Sequence, residues 1–308
     1  VWHNQQPKSL PELEHKKVSA NSDKQAKMKT MSQNHSINER IKSIVSAYKA
    51  YSTDVPEIAI ILGSGLGPLA EQLENPVIVS YKDLPGFPIS TAPGHAGRAV
   101  MGMLEGQRVL AFQGRVHLYE GYTAHEAGIP VRFAHALGAK KIILTNACGG
   151  LNPAWNAGDI MLQTDYINFT GTNPLIGDND PTVGERFLPM MNAYDPLYRQ
   201  IAKAAARAED LELREGTYLA VSGPMYAPKA ELRMFRLWGA DAIGMSTVQE
   251  LIVAHYLKMR VLGLSSVTDM AVADQGDHSG TTEENVIATA KATAPRFEKL
   301  LRAILRTM

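Results

Sequence analysis

Short apolar runs that keep ending in glycine-rich turns leave a chain few folds to choose from. Here Glu57–Leu62 runs into Gly63-Ser64-Gly65-Leu66-Gly67, and Lys141–Thr145 into Asn146-Ala147-Cys148-Gly149-Gly150. Gly216–Ser222 runs into Gly223-Pro224, and Ala240–Ile243 into Gly244-Met245-Ser246-Thr247. Each run has strand length. Helical periodicity lies between and after them, at Ala124–Leu137, Pro196–Glu209, Lys229–Trp238, Val248–Leu257 and Glu283–Leu305. Ala99–Leu104 and Arg108–Phe112 flank Glu105-Gly106 as a hairpin, and Asp159–Phe169 and Arg260–Thr268 add two more strands. Strands alternating with helices predict an α/β protein with a mixed sheet and ligand loops at the strand ends. No repeat or linker divides the chain after residue 37, so 37–308 reads as a single domain. Residues 1–36 are polar, lysine-rich and aperiodic, and read as a disordered tail or an expression remnant.

Composition narrows the function. The 308 residues carry 31 basic and 31 acidic side chains, a balance without the electrostatic footprint of nucleic-acid or membrane-surface binding. One cysteine, Cys148, allows neither an internal disulfide nor a cysteine-rich zinc site, which fits a cytoplasmic protein. No apolar run approaches the roughly 18 residues of a membrane span.

The glycine turns are built for anions. Glycine lets backbone approach a ligand closely, and the N–H groups at a strand-to-helix turn attract negative charge. Gly63–Gly67 is neither a dinucleotide fingerprint nor a P-loop, since its last spacing is one short and no Lys-Ser/Thr follows. Ser246 stands where it can cap the following helix and bind an anion at once. Arg115 and His117 lie two apart in QGRVHLYEGY (113–122), on one side of an extended chain, with Glu120 close enough to orient the imidazole. Alone, Arg115 is more often a surface ion pair and His117 a structural histidine. Together, Ser64, Arg115, His117, the Ala147 N–H and Ser246 form a phosphate cradle without a lysine or a metal-ligand set. No GxSxG nucleophile elbow is present.

GSGLG (63–67), PGHAGR (93–98), QGRVHLYEGY (113–122), TNACGGLNP (145–153), GDIM (158–161), TNPLIG (172–177), SGP (222–224) and GADAIGMSTV (239–248) resemble, in order, the purine nucleoside phosphorylases of the trimeric class. The resemblance implies a single α/β domain with a mixed, partly barrel-like sheet flanked by helices, assembled as a homotrimer. It implies a pentosyltransferase of purine salvage that converts a purine nucleoside and phosphate to free base and ribose 1-phosphate. Purine nucleoside and phosphate would be its partners, with no cofactor and no metal. Ser64, Arg115, His117, the Ala147 N–H and Ser246 would bind phosphate. His117, Glu120 and Asp269 would be the catalytic set. Tyr119, Met245 and His95 would line the ribose. Tyr226 would stack on the base, and Asn146, Tyr218, Ile243, Ala227 and Asp269 would shape its pocket. Phe169 would reach a neighbour's ribose pocket.

Three positions depart from that pattern. Relatives that take 6-oxopurines carry Glu where Ala227 stands, to accept the N1–H, and Asn where Asp269 stands, to serve N7 and O6. Alanine accepts nothing, and an ionised aspartate accepts only, so it suits a 6-amino group and repels O6. Both changes predict a preference for adenosine. The alternatives are a 6-oxopurine (inosine/guanosine) phosphorylase, a 5′-methylthioadenosine phosphorylase, and a non-catalytic nucleoside-binding protein of the same fold. The third departure is at the ribose 5′ position, where Glu283 or His278 replaces the usual histidine.

Overall fold

The computed structural model describes residues 37–274 and 282–308. The expected tail (1–36) and His278 lie outside the described residues. A first helix, α1 (37–48), is followed by β1 (Ile58–Ile61), β2 (Glu74–Ser80), β3 (Arg98–Leu104) and β4 (Gln107–Gln113). Next come α2 (Ala124–Ala127), α3 (Ile129–Ala136), β5 (Lys141–Gly150), β6 (Ile160–Asn168), α4 (Pro196–Ala208) and β7 (Leu213–Ala220). The chain ends with α5 (Lys229–Leu237), β8 (Ala242–Gly244), α6 (Val248–Tyr256), β9 (Arg260–Met270) and α7 (Glu283–Leu305).

The strands join in one mixed sheet of order β2-β3-β4-β1-β5-β8-β7-β6-β9. β9 also pairs with β5, which closes β5-β8-β7-β6-β9 into a barrel and leaves β1-β4-β3-β2 as an extension. β1 shows why its run is apolar throughout. Ile58 and Ile60 pack with Val109, Ile143 and the α7 residues Leu300 and Ile304. Ala59 and Ile61 face the other way, into Tyr48, Phe112, Phe133 and Leu144. A parallel strand buried on both faces carries no polar alternation.

The structure differs from the sequence expectations in three elements. β2 was not among the expected strands, and it tolerates Pro76 by lying at the sheet edge. The helix expected over Ala124–Leu137 breaks at Gly128, where a Cβ would sit 2.6 Å from Val253 of α6. β5 does not end at Thr145 but continues to Gly150, with a register shift at Cys148/Gly149.

Candidate functional site

The site opens where β5 changes partner. β1 covers one edge of β5 over Lys141–Leu144, and β8 takes over at Gly149 and Gly150. Between them the Asn146–Cys148 stretch faces a cavity of about 650 Å³, within the usual size of a small-ligand site. Thr145 stitches the corner: its hydroxyl donates to the Ile61 carbonyl (2.8 Å) and accepts from the Gly63 N–H (2.8 Å). A Cβ on Gly63 would lie 2.6 Å from the Asn146 Cα, so only glycine lets the Ser64 turn come this close to β5.

Arg115 enters from the end of β4 and is buried. Its Nε and Nη2 both donate to the Glu250 carboxylate, at 2.8 and 2.7 Å. Its Nη1 donates to the Thr145 carbonyl at 2.7 Å and reaches Ser246 Oγ at 3.4 Å. Arg115 lines the cavity and Glu250 stands behind it. The ion pair that Arg115 makes is therefore a buried fork rather than the surface pair common for an arginine taken alone.

His117 is held by Glu120. Its Nδ1 lies 2.8 Å from Glu120 Oε1, which also accepts the His117 backbone N–H at 2.8 Å. Glu120 Oε2 accepts the N–H and hydroxyl of Thr91. Burial works to raise this carboxyl, but the hydrogen bonds from His117 and Thr91 outweigh it and hold it at about 2. An ionised carboxylate only accepts, so the imidazole proton sits on Nδ1 and Nε2 remains to serve a ligand. Glu120 does not itself line the cavity. It acts through His117 rather than as a catalytic group in contact with substrate. Tyr119 stacks on His117 with ring centres 4.6 Å apart.

His95 stands 5.6 Å from His117, ring centre to ring centre. Burial first, then the neighbouring His117 and Arg115, push its pKa from 6.5 down to about 4. The unfolded chain therefore takes up a proton near pH 6.5 that the folded chain refuses until about pH 4. This group's contribution to stability is complete above pH 6.5 and falls as the pH drops to about 4. His95→Gln is expected to flatten the unfolding midpoint over that window. A profile as steep as the parent's would remove this role.

The turn between β8 and α6 is strained. Thr247 has φ 70° and ψ −47°, and the Val248 N–H bonds the Ser246 carbonyl at 2.7 Å. That is a γ-turn of the rare, strained hand. Ser246 does not cap α6, which corrects the sequence expectation: the N-cap is Thr247, and its side chain caps nothing. The Thr247 hydroxyl instead accepts from Asn146 Nδ2 (2.7 Å) and lies 3.1 Å from Ser246 Oγ. Tyr218 is fully buried and does not line the cavity. Its hydroxyl lies under the turn, 3.4 Å from the Ser246 N–H, and fills the space that a side chain on Gly244 would need.

The cavity is also lined by Ile243, Tyr226, Ala227, Lys229 and Asp269. Asp269 Oδ1 accepts from the Thr268 hydroxyl at 3.0 Å. A Cβ on Gly149 would press to 3.2 Å from Asp269 Oδ2, so glycine suits the close approach of β5 to this carboxylate. Lys229 makes no hydrogen bond or ion pair among the described residues. Gly223 lets Met245 and Tyr119 close together, since a Cβ would come within 2.5 Å of the Met245 sulfur. The first turns of α7 bring Glu283, Val286 and Ile287 to the mouth. Phe169 does not line the cavity; it is 42% exposed and packed edge-on against Phe235 and Trp238. Among the described residues no group of three or more His, Cys, Asp or Glu could hold a metal ion. No described helix is long and apolar enough to cross a membrane.

One cavity thus gathers Ser64, His95, Arg115, His117, Tyr119, Asn146, Ala147, Tyr226, Ala227, Ile243, Met245, Ser246 and Asp269, leaving Glu120 and Tyr218 behind its walls. Sequence reasoning passed over Glu250 and Lys229. The signal for Glu250 was its place one turn past Ser246, the one charged side chain in the first turns of an otherwise uncharged helix start.

A family model described as the phosphorylase superfamily matches residues 57–306. Purine nucleoside phosphorylase 1 of Bacillus subtilis is 46% identical over 87% of this chain and 98% of its own length. The purine nucleoside phosphorylase of Rattus norvegicus is 42% identical over 84% and 92%. Solved structures of the Schistosoma mansoni purine nucleoside phosphorylase superimpose with TM-scores of 0.83 in complex with adenosine and 0.82 in complex with inosine. Both are 33% identical and cover 88% of this chain and 97% and 96% of theirs.

Proposed function

The chain belongs to the phosphorylase superfamily and, within it, to the purine nucleoside phosphorylases, and from that premise we propose that it prefers 6-aminopurine nucleosides, converting adenosine and phosphate to adenine and ribose 1-phosphate. The observation that carries this is that Asp269 and Ala227 line the same cavity as the Arg115 cradle. The Schistosoma structures hold adenosine or inosine on one scaffold, so the fold itself admits either base.

Phosphate lies against Ser64, Arg115, the Ala147 N–H, Ser246 and His117. Tyr119, Met245 and His95 enclose the ribose. Tyr226 stacks on the base, with Asn146 and Ile243 beside it. Phosphate is a weak nucleophile, so the C1′–N9 bond largely breaks first and its electron pair leaves with the purine. The ribosyl cation that develops sits over the phosphate, whose oxygen then bonds C1′. Fixed donors and short distances do most of the work, and no covalent enzyme intermediate is needed. Asp269 accepts from the 6-amino group. Adenine N1 bears no hydrogen, so it does not miss a carboxylate at position 227, and Lys229 supplies a donor for it.

A second reading, 5′-methylthioadenosine phosphorylase, is favoured by Val286 and Ile287, which give the α7 side of the cavity apolar surface beside Glu283. Base release from adenosine, inosine, guanosine and 5′-methylthioadenosine, with and without phosphate, tests both. Phosphate-dependent release from adenosine is the expected leading rate. Faster release from 5′-methylthioadenosine, by about tenfold in kcat/KM or more, selects the second reading. No release from any of the four leaves a binding protein.

A further inference from the structure

Glu250 lies outside the cavity, yet it holds two edges of the guanidinium that the cavity presents. Both side chains are 3% exposed. Arg115 has five N–H donors. Two are fixed by Glu250 and one by the Thr145 carbonyl. What remains is the Nη1 donor toward Ser246 and one Nη2 donor. The guanidinium cannot turn to offer a different pair without breaking the bidentate fork. The backbone is held as well: the Tyr81 hydroxyl donates to the Gly114 carbonyl at 2.9 Å, one residue before Arg115.

Glu250 also belongs to the first turn of α6, directly after the strained turn that carries Ser246. One short segment therefore places Ser246 by its backbone and Arg115 by its carboxylate. The two sides of the cradle come from strands far apart in sequence, and this segment sets their spacing. The pairing also cancels charge. The Arg115 site meets an anion as a neutral, oriented set of donors rather than as a free cation.

We propose that Glu250 is a positioning residue for oxyanion binding: it fixes which N–H groups of Arg115 face the phosphate and keeps them in register with Ser246. This rests on the reading of the cavity as a phosphorolytic site.

Initial rates for Glu250→Gln, Arg115→Met and the double variant, with phosphate and adenosine varied separately, test it. Glutamine offers one acceptor and one donor to a fork made only of donors, so the guanidinium loses its orientation with little change in volume. The expected result is a KM for phosphate raised roughly tenfold or more in Glu250→Gln, with the KM for adenosine changed by less than about threefold. Adding Glu250→Gln to Arg115→Met should then raise the phosphate KM no further. A phosphate KM unchanged in Glu250→Gln, equal rises in both KM values, or effects that multiply in the double variant would each overturn the proposal. Glu250→Asp guards against a folding failure. It keeps the charge but falls short by one methylene, and should raise the phosphate KM alone. A parent enzyme whose turnover does not depend on phosphate would instead overturn the phosphorolytic reading itself.

Discussion

Arg115→Met should remove nearly all phosphorolysis and destabilise the protein, while Arg115→Met combined with Glu250→Leu should regain the stability but not the activity. The single change strips the cradle of a charge-assisted donor, a loss of about 10²–10³ in turnover where one donor to a developing anion is removed. It also strands the Glu250 carboxylate, which is 3% exposed. Breaking a buried pair from one side destabilises by about 3–5 kcal/mol, because an uncompensated charge stays in the interior. Removing both charges with apolar groups of similar size is often neutral or stabilising. The double variant should therefore melt near the parent, with the single variant several degrees below. A double variant that melts as low as Arg115→Met would mean that the pair's packing, not its charge, sustains the corner. Full activity in Arg115→Met would remove Arg115 from the phosphate site.

The second large effect is on base choice. Asp269→Asn supplies the donor that O6 needs, and Ala227→Glu supplies the acceptor that N1–H needs. Each restored pairing is worth about 1–3 kcal/mol when the alternative is an unpaired buried group. The ratio of inosine to adenosine kcat/KM should rise about tenfold in Asp269→Asn and by about a hundredfold when Ala227→Glu is added. Lys229, two residues along, lines the same cavity as the carboxylate introduced at position 227 and is of opposite charge. A ratio that stays within about threefold of the parent's in the double variant would show that the base is read elsewhere.

Much of the fold was legible because β1 is apolar throughout, and the apolar stretches within β5, β7 and β9 run into glycine or polar turns. The barrel closure was legible only through the family resemblance, because it depends on the second pairing of β5 with β9, which has no local signature. β2 was not among the expected strands, and it carries Pro76, a residue that only an edge position excuses. In the site, Arg115, His117, Ser64 and Ser246 stood out because their residue types sit at glycine turns or two apart in extended chain. Glu250 did not. A glutamate in a first helical turn normally faces solvent and favours the helix dipole, and the partner that changes its meaning is 135 residues away. Tyr218 was expected on the base wall by the family resemblance alone. Its side chain points inward, beneath Ser246. Strand alternation alone does not say which face the cavity takes.

The most direct measurement is a competition. Adenosine and inosine, mixed in equal amounts with excess phosphate, are followed by the rates at which adenine and hypoxanthine appear. The ratio of those rates is the ratio of kcat/KM values, free of enzyme concentration and of phosphate affinity. With Asp269 reading the base and Ala227 leaving N1 alone, adenine should appear faster by roughly tenfold or more, about 1.4 kcal/mol in the barrier. Hypoxanthine appearing faster by the same factor would contradict the account.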